Sequence, residues 1–200
     1  MQDTLNLDGI KLVIFDLCGV LINVSWENME EVLKKNSISI PAEFFRKTSE
    51  EIFQLHKFNH IEDGVDIFLK RLGLEDNKQL RQTQINFINN WGKLATQNSD
   101  GIKLLRLAQE HKLKTAVLSN VFPVQESWKK DWSIDNIDKF FFSYETGVQK
   151  PDKQAFLNAI NYFGVKSSEC LMIGDSNKKD IVPANELGMK TLYFGTKIVN

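Results

Sequence analysis

The sequence is poor in cysteine and in proline, with two cysteines and four prolines among 200 residues. Two isolated cysteines, Cys18 and Cys170, do not make a disulfide framework, so we expect a reduced, cytoplasmic protein. A net charge of −1 argues against a nucleic-acid binder or a polybasic membrane binder. No apolar run reaches the length of a membrane span, and the first residues lack the charged-then-apolar order of a signal peptide.

The remaining composition is that of a globular protein with a substantial core. Hydrophobic residues make up 42% of the chain and charged residues 26%, which is ordinary for a packed domain. A chain of 200 residues suits one large domain, or a core domain with a smaller insert.

The segment Lys11–Asn23 (KLVIFDLCGVLIN) organises the prediction of the fold. Its apolar run is short and rich in β-branched and aromatic residues, which is typical of a strand buried on both faces. Gly19 then permits a tight turn. We therefore expect Asp16 at the carboxyl end of a buried strand, where parallel α/β sheets bind their ligands.

The following block, residues 23–98, has apolar residues at helical spacing and no strand pattern. We expect four helices there, in the segments 26–35, 41–58, 61–72 and 78–94. A helical block directly after the first strand predicts a separate four-helix cap domain at 23–98. The core domain would then consist of residues 1–22 and 99–200.

Beyond residue 99, predicted strands alternate with predicted helices. The strands are expected at 114–119, 139–143, 170–174 and 190–194, and the helices at 100–111, 123–132, 151–163 and 176–187. This alternation predicts an α/β fold with a doubly wound, Rossmann-like parallel sheet of five strands and helices on both faces.

Polar residues follow several of these predicted strands, and a parallel sheet would bring them to one edge. They are Asp16, Ser119 with Asn120, Lys150, and Asp175 with Asp180. Three carboxylates beside one ammonium leave an excess of negative charge, which a divalent cation would neutralise. Oxygen ligands without histidine or thiolate favour Mg²⁺. With the Ser119 hydroxyl and nearby backbone N–H groups, such a site suits phosphoryl transfer to Asp16.

These segments resemble the haloacid dehalogenase superfamily of phosphohydrolases over nearly the whole chain. The matching residues are Asp16 with Gly19-Val20, Ser119-Asn120, residues 147–152 (GVQKPD), and Gly174-Asp175-Ser176 with Asp180. Each motif is weak alone, but the four in this order form a strong signal. The helical block and the small residue in the first motif look most like the subfamily that contains sugar-phosphate phosphatases.

The resemblance implies a role for each of these residues. Asp16 would be the nucleophile, Ser119 and Asn120 would bind phosphate, and Lys150 would steady both nucleophile and phosphate. The ligands of a Mg²⁺ cofactor would be Asp16, the backbone carbonyl of Cys18, and Asp175. Asp180, the fourth residue of the metal site, would hold metal-bound water or Lys150. The substrate would be a small phosphorylated metabolite, and the protein a monomer or weak homodimer.

Cys18 departs from the family pattern, because most phosphatases of this superfamily carry a second Asp there as general acid/base. A thiol is a poor proton shuttle beside carboxylates, so we expect modest turnover that favours good leaving groups. Three functions stay open. The leading one is a Mg²⁺-dependent phosphatase, and the others are a weakly active or non-catalytic phospholigand-binding protein and a phosphonate or C–halogen hydrolase.

Other conspicuous residues fit structural roles better. The four tryptophans, Trp26, Trp91, Trp128 and Trp132, lie in helical patterns typical of core residues. His56 and His60 stand four apart on a predicted helix, a spacing that can hold a metal, but no third ligand accompanies them.

Overall fold

A parallel sheet of five strands organises the structure, a computed structural model that describes residues 7–24, 31, 33–34 and 37–195. The strands in chain order are β1 (Leu12–Phe15), β2 (Ile22–Val24), β3 (Ala95–Gln97), β4 (Lys114–Ser119), β5 (Lys139–Phe142), β6 (Cys170–Gly174) and β7 (Lys190–Tyr193). The main sheet has the order β5-β4-β1-β6-β7, and all its pairs are parallel.

The central position of β1 follows from its sequence, since all four of its residues are buried. Val13 and Phe15 belong to the hydrophobic cluster on one face of the sheet, and Leu12 and Ile14 belong to the cluster on the other. A strand covered on both faces has to be apolar throughout. The polar residue that follows it, Asp16, marks the carboxyl end of the strand but not the end of the core, since Leu17, Val20 and Leu21 are buried as well.

Eight α-helices are described around this sheet. They are α1 (Ala42–Phe53), α2 (Ile61–Leu72), α3 (Lys78–Asn90), α4 (Ser99–Glu110), α5 (Glu126–Asp131), α6 (Ser143–Thr146), α7 (Lys153–Phe163) and α8 (Val182–Glu186). A 3₁₀ turn at Trp91–Leu94 follows α3, another lies at Ser167–Glu169, and a π-helical turn at Asn177–Ile181 precedes α8. None of the described helices is both long and apolar enough to cross a lipid bilayer.

The block at 23–98 contains strands that we did not predict. β2 and β3 form a separate antiparallel pair, with Ile22 opposite Gln97 and Val24 opposite Ala95. The expectation of helices alone in this block is therefore wrong at both of its ends. A three-residue strand is too short to show the alternation by which strands are recognised in sequence.

Helix bounds in the same block also differ from the prediction. Most of the first predicted helix, together with Trp26, lies outside the described residues. The second ends at Phe53 rather than at residue 58, so His56 and His60 lie in the connection between α1 and α2 and not on a helix. The argument that a spacing of four residues places His56 and His60 on one face of a helix therefore does not apply.

The helical block and the sheet share one hydrophobic core. Phe122, which follows β4, packs its ring against Phe53 at 6.4 Å and against Phe87 at 5.6 Å. Trp91 contacts Trp128 and Trp132 with ring centroids 5.6 and 5.7 Å apart. These three tryptophans are buried, as their helical patterns predicted. A division into a core domain and a cap at 23–98 stays our proposal, with β2 and β3 as the connecting pair.

Candidate active site

Asp16 lies directly after β1, in a turn fixed by backbone hydrogen bonds. Its own N–H donates to the Ile173 carbonyl at 2.9 Å, which holds the residue against β6. The Leu17 N–H donates to Asp16 Oδ1 at 2.7 Å. The Asp16 side chain is 13% exposed, so this carboxylate is oriented by the chain and still reachable.

Lys150 supplies a buried positive charge beside Asp16. Its side chain is 2% exposed, and its Nζ lies 2.9 Å from Asp16 Oδ1 and 2.6 Å from Asp180 Oδ1. Burial alone would lower the pKa of this ammonium, but the charges and hydrogen bonds of Asp16 and Asp180 outweigh burial and raise the pKa above its ordinary value. Lys150 is therefore a permanent cation between two carboxylates.

Asp180 is fully buried at the start of the last helical segment. Besides its ion pair with Lys150, its Oδ2 accepts the Ser176 N–H at 3.0 Å. Burial raises the pKa of the Asp180 carboxyl, and the attraction of Lys150 opposes that shift. Asp180 is therefore not a surface charge on a helix but lies at the centre of the candidate site, between Lys150 and the Ser176 N–H.

Asp175 follows β6 and is exposed at the same edge. Partial desolvation and the charges of Asp16 and Asp180 raise the pKa of its carboxyl to about 6. Gly19 lies so close that a Cβ at that position would overlap the Asp175 carboxylate. Since Gly19 also has a φ of +86°, the turn after Asp16 requires glycine for two separate reasons.

Three carboxylates of this edge could hold a metal ion. Oxygens of Asp16, Asp175 and Asp180 all lie within 4.8 Å of one another. The surplus negative charge and the oxygen-only donors fit Mg²⁺. The pKa of Asp175 is raised first by desolvation and then by the charges of Asp16 and Asp180, which a bound cation would offset. The predicted contribution of the Cys18 carbonyl stays a prediction.

Ser119 is the last residue of β4 and Asn120 follows it, at the strand end where the sequence predicted them. Ser119 is 2% exposed. The Asn120 side chain contacts the main chain of Lys150 twice, since its Oδ1 accepts the Lys150 N–H at 2.8 Å and its Nδ2 donates to the Lys150 carbonyl at 2.7 Å. The sequence pointed to phosphate binding for Asn120 and not to this contact.

The Cys18 thiol lies in the same turn and stays protonated. Burial is the main cause that raises its pKa, the charges of Asp16 and Asp175 add to the effect, and Lys150 opposes it. A thiol in this environment is neither a thiolate nucleophile nor an effective acid at neutral pH. The turn after Asp16 therefore holds a neutral thiol where the family pattern leads us to expect a carboxylic acid.

Two supporting residues have no signal in the sequence. Ser143 Oγ accepts the Val121 N–H at 3.2 Å and so fixes the loop after Asn120. Asn98 Nδ2 donates to the Gly19 carbonyl at 3.3 Å and connects the turn after Asp16 to the start of α4. Both contacts join segments far apart in the chain, which local patterns do not reveal.

The five-stranded parallel sheet gathers three carboxylates and one buried lysine at its carboxyl edge, where α/β folds of this kind bind their ligands. The comparison with known families agrees, because the family of haloacid dehalogenase-like hydrolases matches residues 10–188. The chain belongs to this haloacid dehalogenase-like hydrolase family.

Individual relatives extend over almost the same range. Glyceraldehyde 3-phosphate phosphatase of Pyrococcus furiosus is 29% identical over 198 residues, which cover 92% of this chain and 80% of the relative. A putative pyrophosphatase of Clostridium perfringens is 29% identical over 192 residues, 91% of this chain and 82% of the relative. A HAD family enzyme of Bacteroides thetaiotaomicron, solved with magnesium and inorganic phosphate, has a TM-score of 0.65 at 23% identity and covers 92% of this chain and 93% of its own.

These comparisons confirm the predicted family, the α/β fold class and the hydrolase activity. The phosphatase activity and the Mg²⁺ cofactor that we predicted agree with the names of the relatives and with the ligands of the solved neighbour.

Proposed function

We propose that this hydrolase is a Mg²⁺-dependent phosphatase that acts on small phosphorylated metabolites, sugar phosphates among them, through an aspartyl-phosphate on Asp16. The observation that carries the proposal is the buried Lys150 ammonium, which bridges Asp16 and Asp180 at 2.9 and 2.6 Å. A buried cation in this position orients the Asp16 carboxylate and offsets negative charge that would otherwise repel an anionic substrate.

The chemistry begins at the Asp16 carboxylate. Lys150 and the Leu17 N–H both contact Oδ1, and we therefore assign Oδ2 as the oxygen that attacks phosphorus. The new bond joins Asp16 to the phosphoryl group while the bond to the leaving oxygen breaks. Water then attacks the phosphorus of the aspartyl-phosphate, which releases inorganic phosphate and restores the carboxylate.

The other groups stabilise charge and orient the phosphoryl group. The Ser119 hydroxyl is proposed to contact phosphate oxygens, and Lys150 provides the fixed positive charge. Bound Mg²⁺ would offset the negative charge of the phosphoryl group, held by Asp16, Asp175, the Cys18 carbonyl and Asp180. The departing oxygen takes its proton from water or from the substrate, since the raised pKa of the Cys18 thiol makes it a weak donor.

A second function is favoured by one observation, the replacement of the usual acid by Cys18. A protein without that acid could bind phosphorylated ligands and turn them over slowly. The intact pair of Asp16 and Lys150 favours catalysis instead, because binding alone requires no nucleophile. Phosphonate or C–halogen cleavage is less favoured, since the three clustered carboxylates fit a metal-dependent phosphotransfer.

The test is a screen of small phosphoesters with and without Mg²⁺, together with an Asp16→Asn variant. We expect the wild type to turn over at least one phosphoester in a Mg²⁺-dependent manner. Asp16→Asn should lose at least about 10³-fold in kcat while it still binds inorganic phosphate in the presence of Mg²⁺, measured by calorimetry.

Asp76→Asn is the matched control, because it makes the same change in an exposed loop and should keep wild-type turnover. Wild-type rates in Asp16→Asn would show that another group is the nucleophile. Full turnover of the wild type in excess chelator would remove the role of the metal.

A further inference from the structure

We infer that Asn120 acts on the reaction by positioning Lys150 rather than by contacting the phosphate. The inference rests on the proposed function, in which Lys150 steadies the nucleophile. It gives Asn120 a different role from the one that the family resemblance implies.

The Asn120 side chain makes two hydrogen bonds to the main chain of Lys150. The Asn120 amide accepts the Lys150 N–H at 2.8 Å and donates to the Lys150 carbonyl at 2.7 Å. Both peptide groups that flank the Lys150 Cα are therefore held by a single side chain. Asn120 in turn directly follows Ser119, whose place in the sheet is fixed by its register with Phe142. These two hydrogen bonds, which we call the Asn120 clamp, thus connect the main chain of Lys150 to the end of β4.

Lys150 needs such a clamp because it lies in a loop. It follows α6 and precedes α7, and its side chain has to reach two carboxylates at once, Asp16 at 2.9 Å and Asp180 at 2.6 Å. The ammonium is enclosed, with 2% of the side chain exposed. A small shift of its backbone would break one of the two ion pairs, and water is not available to replace it.

The orientation of Asn120 is also informative. The carbonyl oxygen of its side chain is used on the Lys150 N–H, and one N–H of its amide is used on the Lys150 carbonyl. Alanine, serine or threonine would remove at least one of these bonds, since their side chains do not offer a donor and an acceptor at this span. The predicted effect of a substitution is therefore a displaced Lys150 in a protein that still folds.

A double-mutant cycle separates positioning from direct contact. The variants are Asn120→Ala, Lys150→Met and the double variant, and the probe is inorganic phosphate with Mg²⁺, titrated by calorimetry. Turnover of a phosphoester by the wild type and by each variant is measured in parallel. Asn77→Ala is the matched control, since Asn77 Oδ1 likewise accepts a backbone N–H, that of Leu80 at 2.9 Å, in the helical block.

We expect Asn120→Ala to lose about 10²-fold in kcat, the usual effect of displacing a catalytic group by about 1 Å, and to weaken phosphate binding. In the Lys150→Met background the same substitution should leave phosphate affinity nearly unchanged, since the group that it positions is gone. Equal losses in both backgrounds would overturn the inference and assign Asn120 a direct phosphate contact. Unchanged turnover and affinity in Asn120→Ala would overturn it as well.

A crystal structure of Asn120→Ala makes the test independent of catalysis. The inference requires the distance from Lys150 Nζ to Asp16 Oδ1 or to Asp180 Oδ1 to lengthen beyond ion-pair range, and unchanged distances contradict it. If Asn120→Ala does not fold, Asn120→Ser replaces it, because its hydroxyl is too short to span both groups. Failure of the proposed function would instead appear in the wild type, as absent turnover of every phosphoester.

Discussion

The turn after β1 carries the residue whose chemistry departs most from the rest of the site. Cys18 lies two positions after Asp16, and burial together with the Asp16 and Asp175 charges raises the pKa of its thiol. A protonated thiol of this kind gives up its proton too reluctantly to assist a departing alkoxide. Leaving groups differ in how much they need that proton. The effect of the missing acid can therefore be measured by comparing the rates for esters with different leaving groups.

Replacement of Cys18 by Asp should therefore restore a general acid. We expect kcat/KM for an alkyl phosphate to rise by at least about 10-fold, with the full contribution of general acid catalysis, about 10²–10⁴-fold, as the upper limit. An aryl phosphate, whose leaving group needs little protonation, should gain much less. The measurement compares one alkyl and one aryl ester at several pH values. Cys18→Asn serves as control, because asparagine has nearly the same size as aspartate but carries no acid.

Equal or lower alkyl rates in a folded, metal-loaded Cys18→Asp variant would contradict this account. Another residue, or a substrate group, would then already supply the proton.

Gly19 allows a second prediction at the same scale. A Cβ there would meet the Asp175 carboxylate, so Gly19→Ala should displace Asp175 and weaken Mg²⁺ binding by about 10-fold or more. Gly188→Ala is the control, because Gly188 has a similar φ of +78° but open space around its Cα. Both variants share the backbone strain, and only Gly19→Ala adds the overlap.

Calorimetric titration with Mg²⁺ measures the difference between these two variants. If Mg²⁺ affinity falls equally in both, backbone strain rather than contact with Asp175 explains the need for glycine.

The elements differ in how far local sequence determined them. The strands of the main sheet were predicted within about one residue, because a buried run such as Lys114–Ser119 has few alternatives to a strand. The site followed from the same prediction, since parallel strands bring their carboxyl ends together and Asp16, Ser119 and Asp175 each follow one.

What the sequence did not reveal depends on contacts between distant segments. The strands β2 and β3 exist because Ile22 meets Gln97 across 75 residues of chain, and neither strand has a local pattern. The clamp between Asn120 and Lys150 joins two loops 30 residues apart. The predicted helix at 176–187 forms instead as a π-helical turn followed by α8, with Pro183 at the start of α8.

Helix α5 offers a prediction at the scale of elements, because its Trp128 is 2% exposed and packs on Trp91 from the helical block. Trp128→Ala should lower the free energy of unfolding by about 3–5 kcal/mol, the usual cost of truncating a buried aromatic residue. Urea unfolding followed by circular dichroism measures the change. Tyr162→Ala, at a side chain 59% exposed, is the control and should cost far less. Equal losses in the two variants would contradict a shared core at this point.

The charges of the whole molecule are nearly balanced, with a net charge of −1, but those of the site are not. Asp16, Asp175 and Asp180 gather around the single ammonium of Lys150. In the metal-free protein the pKa values of Asp175 and Asp180 are raised, for Asp175 to about 6. The folded state therefore binds protons that the unfolded chain does not bind between about pH 6 and pH 4, and stability is gained as pH falls through that range.

Mg²⁺ and protons compete for the same carboxylates. The Tm of the metal-free protein and the increase in Tm caused by Mg²⁺ should therefore change with pH in opposite directions. In chelator, we expect Tm to rise as pH falls from about 7.5 to about 5, where the raised pKa of Asp175 operates. The increase in Tm that Mg²⁺ produces should shrink over the same range, because a protonated Asp175 carboxyl no longer binds the ion. Asp175→Asn should flatten both trends, and Asp76→Asn should leave them intact. A metal-dependent increase in Tm that grows toward low pH would contradict a site made of these carboxylates.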